Sequence, residues 1–126
     1  MDAKTIKTAV KNILVIEDEG EMCLLLNLIL GDKDLQLDHV QNLADAEAFL
    51  KNEEPDLILL DNRLPDGFGF DFITWLKKHH PAIKIILISG FDLAAGDSAV
   101  AAGADLFLAK PFTRSQLLQS IDSLLN

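Results

Sequence analysis

Short unbroken apolar runs alternate along this chain with longer stretches of helical spacing. Asn12-Ile13-Leu14-Val15-Ile16 is the first run, and it stops at Glu17-Asp18-Glu19. From Glu19 to Leu30 the spacing predicts a helix, with acids in its first turn and Gly31 as its stop. Only Asn27 is polar between Met22 and Leu30, so the apolar surface exceeds one face. Met22, Leu26 and Ile29 form a core stripe. The surplus, Cys23, Leu24 and Leu28, is either buried as well or a protein-docking patch.

Leu35 to Val40 alternates apolar and polar residues, as a strand with one covered face does. His39 within it reads as a surface residue rather than a ligand. Asn42 caps a helix running to about Lys51, with Leu43, Ala46, Phe49 and Leu50 on its core side. After Pro55 comes Leu57-Ile58-Leu59-Leu60, which ends abruptly at Asp61. A run of this kind suits a strand buried on both faces, as in a parallel sheet. Pro65 and Asp66-Gly67 then force a turn.

Phe68 to His79 reads as the third helix. Its end, Lys77-Lys78-His79-His80, carries positive groups where the helix dipole favours them, and Pro81 blocks continuation. That role suits the paired histidines better than metal binding. Trp75 is either core or a partial surface anchor. Lys84-Ile85-Ile86-Leu87-Ile88 is another buried strand, ending at Ser89-Gly90. Leu93 to Ala102 is an alanine-rich helix ended by Gly103, and Leu106 to Ala109 a fifth strand, ending at Lys110-Pro111. Thr113 caps a last helix through a capping box with Gln116, and Leu117, Leu118, Ile121 and Leu124 supply its apolar face.

The order is strand–helix, five times. It predicts an α/β fold of flavodoxin-like (βα)5 type, a three-layer sandwich around a five-stranded parallel sheet in the order 2-1-3-4-5. In that order the switch point lies between strands one and three. Glu17 and Asp18 leave the first, Asp61 leaves the third, and three carboxylates converge on one crevice. Ser89 and Lys110 end strands four and five at the same edge.

Bulk properties narrow the chemistry. The 126 residues suggest one domain, 49% hydrophobic and 25% charged. A net charge of -9 argues against direct nucleic-acid binding and is compatible with a cation site or basic partner surfaces. The lone cysteine, Cys23, excludes an intrachain disulfide and fits a reducing compartment. Met1 to Lys11 has no apolar h-region, and no apolar run approaches the ~20 residues of a membrane span. Together these features point to the cytoplasm.

Three crowded carboxylates need a counter-charge. Mg²⁺ takes oxygen ligands octahedrally and keeps several waters, which two acidic loops and a carbonyl would suit. A carboxylate is also a nucleophile toward phosphorus, and phosphoryl transfer needs groups that neutralise the phosphoryl oxygens. A hydroxyl at Ser89 and a charge at Lys110 are of the right kind. Each also has a plain reading, as a turn residue and a surface charge.

At this point the chain resembles a known family over nearly its whole length, Asn12 to Leu125. Ile13–Glu19, Pro55–Asp61, Leu64–Gly69, Ile86–Gly90 and Gly103–Phe112 together, in this order, are similar to the receiver domain of two-component response regulators. The resemblance implies an N-terminal extension, residues 1–11, and a receiver domain, residues 12–126, either stand-alone or part of a longer regulator or hybrid kinase. It implies that Asp61 is the phospho-acceptor and that Glu17, Asp18, Asp61 and the main-chain carbonyl of Arg63 hold Mg²⁺. Lys110 would pair with Asp61 and then with the acyl phosphate. Ser89 would bond a phosphoryl oxygen, and Phe107 would repack as Ser89 moves. A cis Lys110–Pro111 bond is implied too.

The implied function is phosphorelay signalling. Phosphate would come from a histidine kinase or histidine phosphotransfer protein. The output face would be the fourth helix, fifth strand and fifth helix, available to a downstream protein or a second copy. Such a domain catalyses its own phosphorylation and dephosphorylation but is a switch rather than an enzyme. Arg63 and Phe91 are bulky where many relatives are smaller, and both are expected to overlook the phosphate and restrict the attacking water. Asp92 and Asp97, with no arginine or lysine in the fourth helix, argue against the charged dimer face of one winged-helix subfamily. Two alternatives stay open: a degenerate receiver acting by binding alone, and an aspartyl-phosphate phosphatase. Arg63 stands where such a phosphatase needs its second acid.

Overall fold

Each apolar run becomes a strand of one sheet in the computed structural model, which describes residues 10–31, 34–90 and 93–126. The elements in order are β1 (Lys11–Ile16), α1 (Gly20–Leu30), β2 (Leu35–Val40), α2 (Leu43–Leu50), β3 (Leu57–Asp61), α3 (Gly69–His79), β4 (Lys84–Ser89), α4 (Leu93–Ala102), β5 (Leu106–Ala109) and α5 (Arg114–Leu125). The sheet runs β2-β1-β3-β4-β5, and every neighbouring pair is parallel. This is the flavodoxin-like order. A two-residue antiparallel ribbon, Arg63–Leu64 against Gly67–Phe68, fills the turn after β3.

Alternation along the strands divides the core into two layers. Leu14, Ile16, Ile58, Leu60, Ile85 and Leu87 pack against α2, α3 and α4. Ile13, Val15, Leu57, Leu59, Ile86 and Ile88 pack against α1 and α5. Both faces of β1, β3 and β4 are therefore covered, so their sequences read as continuous apolar runs. Each such side chain contributes about 1.5–3 kcal/mol on leaving water. Register brings the strand ends level: Ile16 lies beside Leu60, Asp61 beside Ile88, and Ser89 beside Ala109.

The helix ends follow their sequence signals. Asn42 Oδ1 accepts from Asp45 N–H at 2.7 Å. Thr113 and Gln116 form the reciprocal box at 3.0 and 2.8 Å. A second device on α2 was not expected: the carboxylate of Asp66 accepts from the N–H groups of Leu43 and Ala44 at 2.9 and 3.0 Å. These bonds and the helix N-terminus hold its pKa down. Gly103 closes α4 with φ +121°, a conformation that favours glycine.

Three expectations are resolved or corrected. Leu24 and Leu28 on α1 are 62% and 70% exposed, so the apolar surplus of this helix is not simply buried; Cys23 is half-buried. Trp75 is half-buried against the first core layer and stacks on Phe72 at 5.0 Å, with His79 and His80 tilted around it. His39 is half-buried rather than a surface residue. The pleat that turns Leu35 and Leu37 toward the second layer carries His39 to the same side. Its Nε2 is shielded and has no hydrogen-bond partner among the described residues.

Candidate functional site

Glu17 and Asp18 leave β1 as Asp61 ends β3. The loop is pinned where Glu17 N–H donates to the Val40 carbonyl at 3.0 Å, and Glu19 N–H donates to Glu17 Oε2 at 3.2 Å. One carboxylate oxygen each from Glu17, Asp18 and Asp61 lies within 4.8 Å of the others. Glu17 and Asp61 are buried, the only polar or charged side chains so placed among the described residues, and Asp18 is exposed.

Lys110 follows β5, and its N–H donates to the Ser89 carbonyl at 2.8 Å, tying the ends of β4 and β5 together. The Lys110–Pro111 peptide bond is cis. Its Nζ stands 3.3 Å from Asp61 Oδ1 and 3.5 Å from the carboxylates of Glu17 and Glu19. Burial, then the charge of Asp61, pushes the Glu17 carboxyl up to about 7, although Lys110 pulls it back. Burial raises Asp61 as well, again against Lys110. Burial depresses the Lys110 ammonium, but Asp61 and Glu17 outweigh it and the net shift is upward. One lysine therefore does not relieve this pocket of its negative charge.

The loop after Asp61 is built by residues that sequence reasoning passed over. Asn62 N–H donates to the Ile88 carbonyl at 2.9 Å, while its own carbonyl and side-chain oxygen accept from Gly69 and Phe70 at 2.8 and 2.9 Å. Gly69 lies so close that a methyl group there would collide with the Asp61 carbonyl oxygen. An Asn directly after the acid and a Gly ahead of a helix were the available signals. Glu19, read only as a helix-start acid, is a Lys110 partner.

An open cleft of about 820 Å³ covers the acids. Asp18, Asp61, Arg63, Ser89 and Lys110 all line it, with Met22 and Phe68 at its apolar rim. Two of the residues singled out from the sequence do not line it: Glu17 is buried and joins the cluster through its carboxylate, and Phe107 packs against the first core layer and borders a separate groove with Pro111 and Gln116. Phe91 and Asp92 lie outside the described residues, as do residues 1–9.

The donor set fits a hard divalent cation. Three oxygens close together, two of them on groups raised by burial and then by a neighbouring carboxylate (Asp61 beside Glu17, Asp18 beside Asp61), are what such an ion relieves.

The family model of the response regulator receiver domain matches residues 13–122. The chain is 33% identical over 109 residues to the response regulator protein PilR of Pseudomonas aeruginosa, covering 86% of this chain and 24% of that protein. It spans between 24% and 49% of the length of PilR and of two further regulators that it matches. A CheY-like response regulator receiver domain protein from Methanospirillum hungatei superimposes with a TM-score of 0.85 at 27% identity, covering 92% of this chain and 94% of that one. The beryllofluoride-activated NtrC4 receiver domain, solved as a dimer, gives 0.86 at 31% identity, covering 90% and 95%. Sheet order, acidic cleft and sequence agree, and the chain belongs to the response regulator receiver domain family of two-component systems.

Proposed function

We propose that this receiver domain is a Mg²⁺-dependent phosphorylatable switch with Asp61 as acceptor. The observation that carries the reading is Lys110 Nζ 3.3 Å from Asp61 Oδ1, at the centre of a three-carboxylate cleft. Glu17, Asp18, Asp61 and the Arg63 carbonyl would hold the ion, which supplies charge neutralisation at the phosphoryl oxygens when bound. An Asp61 oxygen attacks phosphorus; the new O–P bond forms as the bond to the donor breaks, and that electron pair leaves with the donor. Lys110 then faces the acyl phosphate, and the Ser89 hydroxyl donates to one of its oxygens. Asp61, Lys110 and Ser89 thus make the domain a catalyst of its own modification and hydrolysis, not a turnover enzyme. Arg63 at the cleft mouth restricts the hydrolytic water and lengthens the phosphoryl lifetime.

The donor is a histidine kinase or histidine phosphotransfer protein, docking beside the cleft on the exposed leucines of α1. Output passes through α4, β5 and α5, with Phe107 repacking beneath them, to a downstream protein or a second copy. The cytoplasm is the compartment where such donors present phosphohistidine, and among the described residues no helix is long and apolar enough to cross a membrane. A degenerate receiver would not need five chemically apt residues at one sheet edge. A phosphatase would need an acid where Arg63 stands.

Incubation with Mg²⁺ and a small phosphodonor, followed by intact mass, tests the reading. One added phosphoryl group, absent when a chelator removes the metal before the donor is added, is expected; an unmodified mass with Mg²⁺ present overturns it.

A further inference from the structure

The ribbon after Asp61 is tied down at two places. Its base is fixed by Asn62, whose N–H donates to the Ile88 carbonyl and whose oxygens accept from Gly69 and Phe70. Its tip is the Pro65-Asp66 turn, which joins Arg63–Leu64 to Gly67–Phe68. There the two carboxylate oxygens of Asp66 divide between two amides of α2. Oδ1 accepts from Leu43 N–H at 2.9 Å and Oδ2 from Ala44 N–H at 3.0 Å. Gly67 stands beside them, so close that a side-chain carbon there would lie 3.0 Å from Leu43 Cδ1. Arg63, whose carbonyl is proposed above as a metal ligand, lies between the base and the tip.

The helix has a cap of its own. Asn42 Oδ1 serves Asp45 N–H, and the Asn42 carbonyl accepts from Ala46. Leu43 and Ala44 carry the two N–H groups which that cap leaves over, and a charged acceptor from another loop takes both. Bonds across such a junction act on both sides of it: they close the helix end and they fix the ribbon. Mg²⁺ demands near-ideal octahedral geometry, so a carbonyl ligand serves it best when held in place beforehand. We propose that Asp66 is a positioning residue for the metal: by clamping the ribbon to the start of α2 it presets the Arg63 carbonyl, and so couples metal affinity to the order of the α2 N-terminus. The inference rests on the Mg²⁺ site proposed above. Coupling of this kind is reciprocal, so the ion should protect the same two amides that Asp66 holds.

Mg²⁺ binding is measured by calorimetry on wild type, D66A, D66N and N42A. D66A is expected to weaken it about fivefold, as when only one molecule in five holds the ribbon in the competent position. D66N keeps one acceptor and should lose less. N42A removes the other cap without touching the ribbon; it should lower stability and leave Mg²⁺ affinity unchanged. The D66A loss should persist in about 0.5 M salt, which screens the missing charge itself. In wild type, Mg²⁺ should slow hydrogen exchange at the Leu43 and Ala44 amides. Equal affinity in D66A and wild type, an equal loss in N42A, or a loss that vanishes in salt overturns the clamp while leaving the metal site intact. Exchange at Leu43 and Ala44 that ignores the ion does the same. If D66A does not fold, D66N and the wild-type exchange decide. Failure of wild type to bind Mg²⁺ overturns the metal site and the clamp together.

Discussion

Lys110 Nζ lies 3.3 Å from Asp61 Oδ1 and 3.5 Å from Glu17 Oε1, a single ammonium shared by two buried carboxylates. Removing it by K110M has opposite effects on metal and on chemistry. The metal-free protein loses about 1–3 kcal/mol, since buried acids lose their charged partner. Mg²⁺ binds roughly tenfold tighter, because the competing cation is gone. Phosphorylation slows roughly a hundredfold, as for loss of a preorganised oxyanion partner. Chemical denaturation, metal titration and phosphorylation kinetics on one variant check all three, and weaker Mg²⁺ binding would contradict this balance of charges.

The close approach of Gly69 to the Asp61 carbonyl makes a sharp test of the loop. G69A should lower stability by about 1–3 kcal/mol and impair phosphorylation, because backbone beside the acceptor must move. At Gly20, the first residue of α1, an added methyl meets open space. G20A should therefore gain up to about 1 kcal/mol. Denaturant midpoints of the two variants should shift in opposite directions.

His39 sets a pH dependence. Burial lowers its pKa below the ordinary 6.5, and the charge of Asp38 only partly offsets this. A histidine held neutral in the fold and charged in the open chain favours folding above the unfolded value. That contribution is lost as pH falls from about 6.5 toward the lowered folded value. His39 thus takes stability from the wild type over this window, while Glu17, raised to about 7, acts in the opposite sense in both proteins. H39F should lose less, and parallel profiles for the two proteins would remove His39 as the cause.

Leu24 and Leu28 on α1 are largely exposed and belong to neither core layer, so L24A/L28A should leave stability within about 0.5 kcal/mol per site. Acetyl phosphate should modify the double variant at the wild-type rate. Transfer from a protein phosphohistidine donor should slow severalfold, and an unchanged transfer rate would place the donor elsewhere.

Sheet order and the acidic corner were legible because local patterns carry them. Runs such as Leu57–Leu60 have no polar residue to spare, which means two covered faces, and the strand ends then fix where Asp61, Ser89 and Lys110 go. His39 was misread because alternation does not say how deeply an edge strand is covered. For Leu24 and Leu28, periodicity over an all-apolar helix has no phase, and only packing shows which residues miss the core. Asp66 looked like a turn residue, since its hydrogen bonds run to residues more than twenty positions earlier. The role of Gly69 depends on a contact with β3 that spacing alone does not reveal.

The identity of the modified residue is the most direct test of an acidic cleft built for phosphorylation. Protein treated with Mg²⁺ and acetyl phosphate is reduced with borohydride, which traps an aspartyl phosphate as homoserine, and digested for tandem mass spectrometry. Conversion is predicted at residue 61 alone, absent without Mg²⁺ and absent in D61N. Conversion at another carboxylate in the wild-type protein, or none at all, would contradict Asp61 as the acceptor.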